Sequence, residues 1–124
     1  MYEQDYIMRL IKEMVRAVLN LLFHIDTESQ LEEQLKDTEQ KTVLEELLNR
    51  ADEGDINGAE NRLYELVTDR KAESLQMALL FYSHLNDKDD DFLKAHDYSR
   101  EEIKEGLKTI MSDYGLDGMA EAFL

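Results

Sequence analysis

The chain has 124 residues, and its 14 Lys plus Arg stand against 29 Asp plus Glu, which gives a formal net charge of −15. This acidity argues against binding nucleic acid or an anionic membrane surface, because both need clustered Lys and Arg. With no Cys, a disulfide framework, a thiol nucleophile and thiolate metal ligands are excluded. Leu and Glu are abundant, Pro is absent and no segment alternates with period two, so we predict an all-α fold of antiparallel helix hairpins with about five main helices.

The first predicted helix runs from about Glu3 to His24 and is unusually apolar. Its apolar residues cover roughly two-thirds of the helix circumference at 100° per residue, so the polar stripe is narrow. Residues 1–24 are also neutral, and the whole net charge of −15 lies in residues 25–124. We therefore expect this helix to be either central in the fold or shared with a second copy of the chain, as in a homodimer. Its charged residues argue against a signal peptide or a transmembrane span, and we expect a cytoplasmic protein.

The next segment carries a helix-start signal. Thr27 with Gln30 fits a capping box, but only Leu31 and Leu35 follow as large apolar residues. That helix should be short or peripheral, and a restart is expected within residues 37–40.

A helical hairpin is predicted over residues 40–68. An amphipathic run ends at Gly54, and the turn Gly54–Gly58 joins it to a second helix. The Gly54-Asp55 turn followed by Ala59, Leu63 and Leu66 resembles one tetratricopeptide unit. The first helix of the pair departs from that repeat, with Leu47 at its usual small position and Arg50 at its usual aromatic one. One unit matches, and the chain lacks a true repeat array.

The remaining chain is predicted as a second helical pair and a tail. A helix spans about Asp69 to Leu85, an acidic break follows, and Ser99 with Glu102 forms a literal capping box for a helix that ends at Gly115. Within that helix, Gly106 suggests the close approach of another helix. We thus divide a single helical domain, 1–124, into a first helix (1–24), the hairpin (40–68), the second pair (69–115) and a tail (116–124).

Four residues are candidates for a peptide-binding groove. Leu44, Leu48, Tyr82 and Leu85 occupy the positions that line the concave groove in tetratricopeptide arrays, which implies a peptide-binding groove. The alternative is that the first or last long helix covers them.

The sequence offers no convincing chemical centre. Residues 53–58 resemble the start of a calcium loop, but Tyr64 stands where the closing carboxylate belongs, so a plain hairpin turn is favoured. Residues 87–91 are interpreted as a solvated acidic loop. The three His lack partners at metal-motif spacing and are assigned structural roles, and Ser83 beside His84 cannot face it on a helix. We predict no catalytic, cofactor or metal site.

A second resemblance extends over most of the chain. Residues 2–9, the hairpin of residues 54–66 and residues 97–103 are similar to an uncharacterised bacterial family of small, acidic, helical proteins. It implies the fold and no activity. The preferred function is a non-enzymatic protein-interaction module or small scaffold that binds itself or a partner peptide. The alternative is an enzyme or ligand-binding protein with a carboxylate-lined pocket.

Overall fold

The computed structural model describes residues 2–23 and 38–124, with side chains from residue 5 and residue 39 onward in the two segments. The described backbone is helical and contains no strand, which confirms the all-α prediction. Its helices are α1 (Tyr2–Phe23), α2 (Thr38–Asp52), α3 (Ile56–Leu66), α4 (Ala72–Asn86), α5 (Asp90–Ala95), α6 (Arg100–Asp113) and α7 (Asp117–Phe123). One turn of 3₁₀ helix, Val67–Asp69, follows α3. His24 and the Thr27–Gln30 capping box lie outside the described residues.

Local side-chain chemistry sets the helix ends. The carboxylate of Asp55 accepts from the Gly58 N–H at 3.1 Å and caps α3, as the hairpin-turn interpretation predicts. Ser99 and Glu102 form the reciprocal capping box at the start of α6. Gly115 has φ +73°, a left-handed conformation that suits Gly and ends α6.

The central helix is α4. Every residue from Ser74 to Tyr82 is buried, because α1, α2 and α6 all pack against this helix. A helix buried on all sides needs apolar residues around its whole circumference, and α4 carries its charged groups near its ends. The interior of the fold, one of the two positions expected for α1, is therefore occupied by α4.

Among the described residues, the first helix instead has its packing partners on one side. Its buried residues Ile11, Met14, Val15, Val18 and Leu19 face α4, α6 and α7. They merge with residues from the other long helices into one hydrophobic core. The opposite side of α1 faces outward, and part of its apolar arc lies there.

Candidate functional site

The four candidate groove residues are all in the core. Leu44, Tyr82 and Leu85 have no exposed surface, and Leu48 is 7% exposed. Tyr82 and Leu85 lie on α4, against which α1, α2 and α6 all pack, and Leu44 and Leu48 lie on α2, which packs against α3 and α4. This arrangement corresponds to the covered alternative, and in the single chain a partner peptide could reach these residues only if a helix moved away.

The exposed apolar surface lies on α1. In the described part of the chain, the large hydrophobic side chains classed as exposed are Tyr6 (59%), Leu21 (65%) and Leu22 (43%), and all belong to this helix. Leu10 and Ala17, which are half-buried, lie between Tyr6 and Leu21 on the same side. At 100° per residue these positions fall within an arc of about 60°. We call Tyr6, Leu10, Ala17 and Leu21 the outer stripe.

A polar network lies inside the fold around Glu60. The Tyr82 hydroxyl donates to Glu60 Oε2 at 2.5 Å, the Tyr98 hydroxyl at 3.0 Å and the Tyr64 hydroxyl at 3.4 Å. One carboxylate oxygen thus ties together α3, α4 and the loop that precedes α6. A charged acceptor strengthens each of these bonds relative to a neutral one.

The phenols of this network are held protonated. Burial raises the pKa of Tyr82 and of Tyr98 far above the usual value, and the nearby negative charge of Glu60 raises both further. Burial also raises the pKa of Tyr64. These hydroxyls therefore act as hydrogen-bond donors near neutral pH and are poor candidates for proton abstraction.

An open depression adjoins the network. It has a volume of about 390 Å³ and is lined by Lys94, Asp97, Tyr98, Ser99 and Glu102. Its two carboxylates are exposed to solvent. Asp97 has φ +56°, a left-handed conformation that Asp tolerates better than most residues.

A second charged cluster joins the C-terminal ends of α2 and α4. Asp52 Oδ1 lies 2.7 Å from His84 Nε2 and 2.5 Å from Lys88 Nζ. Partial burial by itself raises the pKa of Asp52, but the hydrogen bonds from Lys88 and His84 outweigh it and bring the pKa below its usual value. The groups are partly exposed, and their arrangement pins the two helix ends together.

Arg100 is the most deeply buried charged residue of the described chain, at 2% exposure. Its guanidinium donates to the carbonyl oxygens of Lys88 at 2.5 Å and Asn86 at 3.2 Å, and it pairs with Asp90. These carbonyls belong to the end of α4 and the loop after it, where the helix lacks internal donors. Arg100 therefore fixes the loop that precedes α5, and Asp90 in the acidic run has a defined partner.

Residues 2–23 and 38–124 contain no group of three or more His, Asp or Glu arranged to hold a metal ion. Within the same ranges, no helix has the length and apolar character that a membrane span requires.

Fold and geometry together define a helical protein organised around one buried helix, with an apolar outer stripe and an internal tyrosine–carboxylate network. A family model matches residues 1–115, and the chain belongs to that family, a family of unknown function designated DUF6483. No curated protein and no solved structure matches the chain. The tetratricopeptide resemblance of α2 and α3 therefore stays a prediction.

Sequence reasoning missed the Glu60 network and the buried Arg100. Glu60 and Tyr98 are 38 residues apart, and no local pattern joins them. Gly106 was the available signal: a Cβ there would collide with the Tyr82 hydroxyl and lie 2.7 Å from Tyr82 Cζ and 2.9 Å from Glu60 Oε2. The predicted close approach at Gly106 is thus confirmed, with α4 as the approaching helix.

Proposed function

We propose that this protein is a non-enzymatic protein-interaction module that docks through the outer side of α1. The observation that carries the proposal is that Tyr6 and Leu21, the two most exposed large hydrophobic side chains of the described residues, both lie on the outer stripe. Isolated exposed apolar residues are common, but a contiguous apolar stripe is typical of an interaction surface.

The distribution of charge also favours the outer side of α1 as the docking surface. The outer side of α1 carries Arg9 and Arg16 together with Glu13, whereas the chain as a whole has a net charge of −15. Because like-charged surfaces repel, the balanced side of α1 is the part that another acidic protein could approach at least electrostatic cost. Aromatic side chains such as Tyr6 are also enriched at protein interfaces relative to the rest of the surface.

A photo-cross-linking residue at position 17, in the middle of the outer stripe, tests this proposal in the native host. We expect a discrete protein adduct at position 17, and its loss in the Tyr6→Ser/Leu21→Ser background. The matched control places the same photo-cross-linking residue at the exposed Asn61 of α3. Equal adducts at positions 17 and 61, or an adduct that survives the double substitution, would refute the proposal.

The depression beside Tyr98 supports a second candidate, a ligand-binding protein with a carboxylate-lined pocket. Asp97 and Glu102 contribute carboxylates to a volume of about 390 Å³, which is within the range for a small ligand. Small ammonium compounds are the complementary ligand class. A thermal-shift series with such compounds should raise the Tm of the wild-type chain and leave Asp97→Asn unshifted. An unchanged wild-type Tm across the series would remove this candidate.

A further inference from the structure

The outer stripe is built so that it matches a reversed copy of itself. Tyr6 and Leu21 are equally distant from the point between Glu13 and Met14, and so are Leu10 and Ala17. At a rise of 1.5 Å per residue, Tyr6 and Leu21 are separated by about 22 Å along the helix. A second α1 that runs in the opposite direction about this midpoint places Tyr6 against the partner's Leu21 and Leu10 against the partner's Ala17.

The sizes of the side chains favour this antiparallel order over the parallel one. The antiparallel pair sets a large residue, Leu10, against a small one, Ala17, so that two helices can interdigitate. A parallel pair sets Leu10 against Leu10 and Ala17 against Ala17, which crowds one level and leaves a gap at the other. Packing density at an interface core approaches that of a protein interior, so this difference matters.

The polar flank of the stripe is also self-complementary. Arg9, Glu13, Arg16 and Asn20 are exposed and lie along one border of it. In the antiparallel order, Glu13 is within about 3 Å, along the helix axis, of the partner's Arg16, and Arg9 has the same offset from the partner's Asn20. In a parallel pair the two-fold axis runs along the helices, so this flank would lie on opposite sides of the interface in the two copies and Glu13 would have no Arg16 of the partner beside it.

From this agreement of size and charge we infer that the occupant of the outer stripe is a second copy of this chain, with the two α1 helices packed antiparallel about the point between Glu13 and Met14. The inference rests on the proposed docking role of α1 and specifies the partner and the orientation. Each copy contributes the same surface patch, as expected for an interface on a two-fold axis.

Single-cysteine variants test the orientation directly, because the natural chain has no Cys. Arg9→Cys and Asn20→Cys lie on the flank and leave the four residues of the stripe intact. With a short thiol cross-linker, a mixture of the two variants should give a covalent dimer that joins residue 9 to residue 20. Each variant alone should give far less, since matching residues lie about 13 Å (residue 9) and about 20 Å (residue 20) apart along the axis.

Efficient cross-linking of each variant to itself, or an absence of covalent dimer in the mixture, would overturn the antiparallel inference. Sedimentation of the unmodified chain distinguishes an error in the proposed orientation from a failure of the proposed docking role. A dimer that Tyr6→Ser/Leu21→Ser dissociates, but in which residue 9 is not joined to residue 20, refutes the orientation only. A monomer refutes the self-association, and the photo-cross-linking result at position 17 then decides the docking role.

Discussion

Gly106 of α6 lies directly against the hydroxyl end of Tyr82 on α4, and the space that a Cβ would fill is occupied by Tyr82 and by the carboxylate of Glu60. The Tyr82–Glu60 hydrogen bond, at 2.5 Å, thus depends on a residue without a side chain in the neighbouring helix. The polar network and the packing of α6 on α4 therefore form one unit.

The first prediction concerns Gly106→Ala. Ala favours a helix interior over Gly by about 1 kcal/mol, but the new methyl group must displace Tyr82 or Glu60, and overpacking costs about 1–3 kcal/mol in addition to disrupting the network. We expect a net loss of about 1–2 kcal/mol in the free energy of unfolding, measured by urea denaturation. Gly118→Ala in α7 is the matched control, because its Cβ would meet open space. A stabilised Gly106→Ala protein would contradict the tight contact.

The second prediction concerns alkaline pH. The pKa of Tyr82 and of Tyr98 is raised in the folded state by burial and then by Glu60, so the unfolded chain loses these protons first as pH rises. Their contribution to stability is complete below about pH 10 and falls above it, by about 1.4 kcal/mol per pH unit for each phenol.

Urea denaturation between about pH 9 and pH 11 measures this slope, with tyrosinate absorbance followed in parallel. Averaged over this window, which is centred on the unfolded pKa of tyrosine, Tyr82→Phe should reduce the slope by about 0.7 kcal/mol per pH unit, and Tyr82→Phe/Tyr98→Phe by about twice that amount. An unchanged slope in the double variant would show that these hydroxyls ionise equally in the folded and unfolded states.

The third prediction concerns the buried Arg100. Arg100→Lys keeps the charge but loses the planar guanidinium that reaches two backbone carbonyls and Asp90 together. Arg100 is buried while Asp90 is half exposed, so the main loss is that of the donors to the two carbonyl oxygens, and we expect it to lower the unfolding free energy by about 2 kcal/mol. Arg62→Lys is the matched control, because Arg62 pairs with Glu65 on the surface and should cost under about 1 kcal/mol. Similar losses in both variants would contradict a special role for Arg100.

The fourth prediction concerns stability at acidic pH. The pKa of Asp52 is lowered in the folded state, so its stabilising effect is present above its unfolded value of 3.8 and is lost as pH falls through the lowered pKa. Asp52→Asn should cost about 0.5–1 kcal/mol near pH 6, because the cluster is partly exposed and screened. In urea titrations the difference from wild type should shrink as pH falls below 3.8 and disappear once the carboxylate is protonated in the folded state as well. A cost that persists there would mean that the ionised carboxylate is not the source of the stability.

Local signals in the sequence predicted the fold well. Ser99 and Glu102 are three residues apart and form a capping-box motif, which predicted the start of α6. The Gly54–Gly58 segment predicted the turn before α3. Periodicity also gave the boundaries of α1, predicted over about residues 3–24 and found at Tyr2–Phe23. Such features depend on residues within one or two helical turns of each other.

The candidate site was harder, because its contacts join distant segments. Asp52 meets His84 and Glu60 meets Tyr98 only after the helices have packed. The apolar arc of α1 was visible in the sequence, but its division into a core side and the outer stripe required the position of α4. The burial of the predicted groove residues could not be predicted for the same reason, because no local sequence pattern indicates which helices will pack over these side chains.

The most direct measurement is sedimentation equilibrium of the full chain across a concentration series, for wild type and for Tyr6→Ser/Leu21→Ser. Full burial of a large apolar side chain contributes about 1.5–3 kcal/mol, so the wild type should form a dimer whose Kd rises at least tenfold in the double variant. Asn61→Ser/Glu105→Ser, which alters exposed polar positions on α3 and α6, should leave the Kd unchanged. A wild-type chain that stays monomeric at every concentration, or a double variant that associates as tightly as wild type, would contradict self-association through the outer stripe.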